Sequence, residues 1–189
     1  MPRIAVAAVA LTAALALTGC QGATTAAPTP VSSSTGTQSD GGFARHAEVG
    51  VVLLAAAATP GPSSGGVALP DRFRKDLTSA GFRPDVRVAS ASDPAADQRS
   101  AVRALVRSGA KVLLVEAADP AALTGALQTA RDAGVVVVAI GDPLPGSGSG
   151  GTGVGPDYRV QGTDSDAALV GRAVAVVASL QRGEQPERG

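Results

Sequence analysis

Asp142 is the residue in this chain best placed to do chemistry. It follows the apolar run Val135 to Ile140 and precedes Pro143, which holds the residue before it extended. A carboxylate just beyond a buried strand can accept hydrogen bonds from ligand hydroxyls or pair with a cation. The plainer role is a turn Asp that caps its own backbone. Glu116 stands in the equivalent place after the run Lys111 to Val115. Ser63 and Ser64 lie in Ala56 to Gly66, a breaker-rich loop behind a further apolar run. Asp164 and Asp166 form a close carboxylate pair whose position suits a helix start, where acidic groups meet the positive end of the helix dipole. Asp164 also remains a candidate ligand contact.

Most other chemistry is excluded by what is missing. The chain has one histidine, His46, and one cysteine, Cys20. A single cysteine forms no internal disulfide, and a single histidine leaves little for metal binding or acid–base work. A serine nucleophile needs a base within reach, yet His46 closes a Thr/Ser/Gly/Pro-rich stretch, and Lys75 and Lys111 have no evident serine partner. Gly148, Gly150 and Gly153 satisfy G-x-G-x-x-G, but Gly155-Pro156 and a strand-like stretch follow where a dinucleotide site needs a helix. No Gly-Lys-Ser/Thr completes a phosphate loop. Sixteen basic residues against 16 acidic ones give no net field, so no nucleic-acid partner is indicated. The expectation is a protein that is not an enzyme, without metal or cofactor.

The elements that must position these residues centre on Ala110 to Asp142. Lys111 to Val115 and Val135 to Ile140 do not alternate polar with apolar, as befits parallel strands buried on two faces. Between them Asp119 is a helix N-cap, Pro120 fits the first turn, and Leu123, Leu127 and Ala130 recur at helical spacing before Gly134. The same Asp-Pro start and Gly stop recur at Asp93-Pro94 and Gly109. Upstream, Glu48 to Ala55 is the first strand. Leu69, Phe73 and Leu77 share a helical face closed by Gly81, with Phe82 packing back on Leu77. Asp85 to Ala89 is a shorter, more polar strand suited to an edge. Downstream, Tyr158 to Gly162 forms a fifth strand, and Asp164 or Ser165 caps a helix carrying Leu169, Ala173, Val174, Val177 and Leu180. Alternating elements of this kind predict a three-layer α/β/α sandwich on a parallel sheet of strand order 2-1-3-4-5. Hydrophobic residues make up 44% of the chain but aromatics only 2%, so the core is expected to be built from small side chains. In such sheets ligands sit beyond the carboxyl ends of the strands.

The first 45 residues are read as outside this fold. Arg3 precedes the apolar run Ile4 to Leu17, shorter than the ~20 residues of a spanning helix and suited to a secretory leader. Leu17-Thr18-Gly19-Cys20 resembles the bacterial lipobox, in which the leader is cut before a cysteine that is then lipid-modified. More than one acyl chain there would anchor the protein stably. Gln21 to Arg45 is Thr, Ser, Gly, Pro and Ala with little else, a composition that buries too little surface to order itself. The expected organisation is a lipoprotein signal peptide at 1–19, a tether from lipidated Cys20 over 20–45, one lobe at 46–182 and a polar tail at 183–189.

Arg74 to Ala178 resembles the N-terminal lobe of the periplasmic sugar-binding proteins of ABC transporters, nearest the xylose and multiple-sugar group. The residues that carry the resemblance are Ala80-Gly81-Phe82, Asp93-Pro94-Ala95-Ala96-Asp97-Gln98, Ser108 to Val115, Ala130-Arg131-Asp132-Ala133-Gly134-Val135, Asp157-Tyr158 and Gly162-Thr163-Asp164, in the family's order. The resemblance implies a non-enzymatic, extracytoplasmic solute-binding protein of the type 1 fold. It would be anchored to the cell membrane through Cys20, bind a small polar solute, a sugar by the family's habit, and hand it to an ABC transporter permease. The candidate ligand contacts, taken from their places beyond the strand ends, are Asp142, Ser63, Ser64, Glu116 and Asp164.

There are two departures. Where the family's strand-four turn carries an Asp-Arg pair, this chain has Gly141 and Asp142, and Ala56 to Gly66 holds no aromatic ring to stack on a sugar. The family also closes a two-lobed cleft by hinge motion, whereas this sequence reaches Gly189 directly after the last helix, with Gln181 to Gly189 read as a polar tail. The expectation is therefore a single lobe, truncated or degenerate. The alternative is a cell-surface interaction or sensor module that has lost solute binding.

Overall fold

Three strands buried on both faces form the middle of the molecule. The computed structural model describes residues 42–60, 66–141, 155–162 and 165–186. The signal peptide, Cys20, most of the tether, Ser63, Ser64, Asp142, Asp164 and the glycine-rich loop up to residue 154 lie outside them. The chain divides into Met1–Ser34 and Thr35–Gly189, and every described residue is in the second unit.

In chain order the elements are β1 (Glu48–Leu53), a 3₁₀ turn (Ala55–Ala58), α1 (Leu69–Ser79), β2 (Arg83–Val88), α2 (Pro94–Ser108), β3 (Val112–Val115), α3 (Pro120–Asp132), β4 (Val136–Ile140), β5 (Tyr158–Val160) and α4 (Asp166–Gln181). The five strands lie in the order β2-β1-β3-β4-β5, the order expected from the alternation of elements, and every pairing is parallel. Val51 faces Val86 on one side and Leu114 on the other, and Leu114 in turn faces Val138.

Side-chain alternation splits the core in two. Val49, Val51 and Leu53 join Val112, Leu114, Val136, Val138 and Ile140 beneath α1 and α4, against Phe73, Leu77, Val170 and Val177. On the opposite face Val52, Leu113, Val115, Val137 and Ala139 pack under α2 and α3, against Val102, Leu105, Leu123 and Leu127. Gly50 lies beneath α2. A Cβ there would stand 2.6 Å from Leu113 Cδ2 and 2.8 Å from Leu105 Cδ1, so the missing side chain lets α2 close on the sheet.

Local chemistry sets the helix ends. Asp93 Oδ1 accepts from the Ala96 amide at 3.1 Å, Asp119 Oδ1 from Ala121 and Ala122 at 2.9 and 3.2 Å, and Ser165 Oγ from Ala168 at 3.3 Å. Of the two caps considered for the last helix, it is Ser165 that the described residues show in place. At the other ends the amides of Phe82, Ala110 and Val135 return to the carbonyls of Leu77, Leu105 and Ala130 at 3.0, 3.1 and 2.9 Å. Such closures need a left-handed residue just before, and Gly109 takes φ 93°.

Three expectations shift. β2 begins at Arg83 rather than Asp85, because the Arg83 amide already pairs with Ala47 O at 3.0 Å. β1 ends at Leu53 rather than Ala55, and Ala55–Ala58 forms a 3₁₀ turn in place of the strand's last residue and the start of the loop, in keeping with a run of alanines that favours helical backbone. The folded part also reaches back before residue 46. Phe43 packs on the core with its ring centroid 6.2 Å from that of Phe82, and its amide donates to Gln181 O at 3.3 Å. Composition had marked that stretch as tether.

β2 is an edge strand, and Arg83, Asp85 and Arg87 alternate along one face of it, with Arg87 paired to Asp85 at 2.9 Å. Such charges discourage pairing with a further strand. At the other edge, Asp157 docks the short β5. Its Oδ2 accepts from the Val137 amide at 2.8 Å and its Oδ1 from Arg131 at 3.1 Å, while Arg131 also donates to Gly155 O.

Replacing Gly50 with Ala is expected to force Leu105 and Leu113 from their places and destabilise the fold by about 1–3 kcal/mol, the usual size of overpacking. Urea unfolding would read this as a lower midpoint at unchanged slope; an unchanged midpoint would mean that α2 yields freely.

Candidate functional site

The carboxyl ends of the strands bring five described segments to one edge of the sheet: the chain after Leu53, the Ala89 to Asp93 turn, Glu116 to Asp119, Gly141, and Gln161-Gly162. All five candidate contacts follow strand ends in sequence. Glu116 is the one that falls among the described residues.

Glu116 is held from several sides. Its amide donates to Val52 O at 2.9 Å, continuing the β1–β3 ladder one step past the strand. Its carboxylate Oε2 accepts from the Leu54 amide at 3.0 Å, across 62 residues of sequence. A Cβ placed on Gly141 would lie 4.0 Å from Glu116 Cγ, so the turn after β4 passes beside the same side chain. Glu116 therefore stands where the ends of β1, β3 and β4 meet. One of its oxygens serves as a cap for β1, a structural task its sequence position did not reveal.

Gln98 was not singled out as a site residue, and it proves central to this edge. It is the one polar side chain among the fully buried described residues. Its Nε2 donates to Glu116 O, and its Oε1 accepts from the Ala118 amide at 2.9 Å. Both functional groups of the amide are thus satisfied by one loop, as a buried amide requires. The available signal was spacing: Gln98, Ala101, Val102 and Leu105 form one helical stripe, with a polar residue at its first position.

The turn after β2 is organised by Asp97. Its Oδ2 accepts from the Ser90 amide at 2.9 Å, and Ser90 Oγ lies 3.2 Å from Ser92 Oγ. Hydrogen bonds from the Ser90 side chain and then its backbone amide hold the Asp97 carboxyl below the usual range, against a weaker opposing effect of desolvation. Asp93 and Asp119 are engaged by the first turns of α2 and α3. His46 lies at the far end of the sheet, where its amide donates to Gly81 O at 3.0 Å, remote from this edge. Among the described residues no group of three or more His, Cys, Asp or Glu is disposed to hold a metal ion. No helix of the described residues is long and apolar enough to cross a membrane.

The sequence family described as "periplasmic binding protein domain" matches residues 70–177, more than half of the chain. Among solved structures, an ABC transporter solute-binding protein from Mycobacterium smegmatis with bound glycerol is similar at 24% identity and a TM-score of 0.48. That match covers 60% of this chain and 34% of the other. A carbohydrate transporter solute-binding protein from Chloroflexus aurantiacus in complex with D-glucose is similar at 28% identity and a TM-score of 0.46, over 60% and 29% of the two chains. The myo-inositol binding protein of Caulobacter gives 23% and 0.45, over 64% and 36%. The chain thus spans about a third of the length of these solved proteins. A comparison with curated protein sequences finds no match.

The Ser90–Asp97 bond makes part of this edge pH-sensitive. Because the folded carboxyl titrates below its unfolded value, its stabilisation is complete above the ordinary Asp pKa of ~3.9 and is lost as the pH falls through the depressed folded value. Urea unfolding at neutral and strongly acid pH is expected to show a smaller acid loss in Asp97→Asn than in the parent chain. Equal losses would show that Ser90 does not stabilise the ionised form.

Proposed function

The chain belongs to the periplasmic binding protein domain family, and from that premise we propose that it is a lipid-anchored, extracytoplasmic solute-binding protein serving an ABC transporter. In this reading residues 46–182, extended back to Gly42, form an N-terminal lobe. Residues 20–41 are its tether, Cys20 carries the lipid, and residues 1–19 are the leader. The observation that carries the proposal is the family match over residues 70–177, laid on a parallel sheet whose carboxyl edge gathers polar loops.

The ligand would be a small polar solute, and the motif series from Ala80 to Asp164 favours a sugar. Its hydroxyls would be recognised at the strand ends by Asp142, Ser63, Ser64, Glu116 and Asp164. The protein's part is to bind and release. The lobe offers a pre-shaped edge, and closure of a second surface over the ligand would exclude water and strengthen each hydrogen bond. Delivery would then be to the transporter's permease.

A second reading is supported by one specific observation. The Glu116 carboxylate already accepts the Leu54 amide, and the loop after β1 brings no aromatic ring. A lobe whose acceptors are spent on its own backbone suits a cell-surface interaction module. Isothermal titration with D-xylose, D-glucose and further aldoses is expected to give saturable heat for at least one of them. Silence across the panel at millimolar sugar, together with capture of a protein partner by cross-linking on cells, would favour the second reading.

The anchor has its own test. Cys20→Ser is expected to abolish incorporation of labelled fatty acid and to release the protein from the membrane fraction. Label retained in the variant would contradict the assignment of Cys20.

A further inference from the structure

We propose that Gln98 is the positioning residue of the ligand edge, coupling the loop after β3 to the loop after β1. The inference rests on the reading of that edge as the ligand face, and it says how the face is kept in shape. Gln98 is fully buried at the start of α2, yet both polar ends of its side chain are directed to a single loop. Nε2 donates to the carbonyl of Glu116, and Oε1 accepts from the amide of Ala118 at 2.9 Å. The backbone on either side of Ala117 is thereby clamped to α2.

The clamp has a further consequence. With its carbonyl fixed by Gln98 and its amide fixed on Val52 O, Glu116 has its Cα direction determined from both sides. Its carboxylate is then delivered to the Leu54 amide at 3.0 Å, immediately past the end of β1. The chain of contacts runs from α2 through the loop after β3 to the start of the Ala55–Ala58 turn, although Gln98 and Leu54 are not themselves hydrogen-bonded. Gln98 itself is fully buried, so its amide depends on these two bonds, while the loop that it holds is partly open to solvent and loses its fixed partner when either bond is lost. The loops after β1 and β3 consequently behave as one rigid wall of the edge, and a solute meeting Glu116 meets Leu54 in fixed register with it.

Directional coupling separates this role from a general contribution to stability. Amide hydrogen exchange, measured residue by residue on the full chain without ligand, is the readout. Gln98→Met, of similar volume but without the paired groups, is expected to speed exchange at Ala118 and at Leu54 by about tenfold or more relative to Val137 and Val138 in β4. Glu116→Ala is expected to speed Leu54 alone and leave Ala118 as it was. Glu116→Gln, which keeps an acceptor oxygen, should restore Leu54. If Gln98→Met does not fold, Gln98→Asn, a methylene too short to span the loop, is expected to give the same pattern.

Unchanged protection at Leu54 in a folded Gln98 variant would overturn the proposal. So would a rise at Leu54 no greater than that at Val137, which would be simple destabilisation. Because no solute enters this experiment, silence in the sugar titrations would remove the transport reading and leave the coupling to stand or fall by itself.

Discussion

Burial of the central strands on both faces is the constraint from which the rest follows. Val49, Val51 to Leu53, Val112 to Val115 and Val136 to Ile140 are all apolar and all buried, so no polar group in the middle of the sheet is available to a ligand. Their backbone groups are consumed by the parallel ladders. Polar recognition is therefore displaced to the strand ends. Because the strands are parallel, one edge collects every loop that leads into a helix N-terminus. Acidic residues in the first turns of α1, α2 and α4 sit at those positive helix ends.

At this edge most of the described carboxylates hold the protein itself together. Asp93 and Asp119 cap helices, Asp97 holds the turn at Ser90, and Glu116 holds the end of β1. They build a rim of fixed loops. Groups held in place in this way lose little freedom when a ligand arrives. Ser63, Ser64, Asp142 and Asp164, the other proposed contacts, lie outside the described residues.

What was legible in the sequence was what short-range chemistry decides. Asp-Pro starts and Gly stops located α2 and α3 because an N-cap, a proline at the first turn and a left-handed closure need only neighbouring residues. Unbroken valine and leucine runs gave the buried strands, and their alternation with helices gave the sheet order. Long-range pairing stayed hidden. Gln98 falls on the apolar stripe of α2, but that spacing does not name its partners, and only the folded chain shows its amide bound to Glu116 and Ala118. The Arg131–Asp157 pair that docks β5 spans 26 residues and has no local signature. The composition around Phe43 reads as tether, while its ring packs beside Phe82. The position of Glu116 just past β3 is legible, but its partner Leu54 lies too far away in sequence to be inferred.

Under the proposed function this edge of the sheet receives the solute. Amide NMR shifts followed during titration with D-xylose and D-glucose would test it most directly. The account predicts shifts concentrated at Leu54 to Ala58, Glu116 to Asp119 and Gly141, with Glu48, Arg83 and Lys111 at the opposite edge unmoved. Shifts centred on that opposite edge or on the outer helix faces, or no shifts at all, would contradict it.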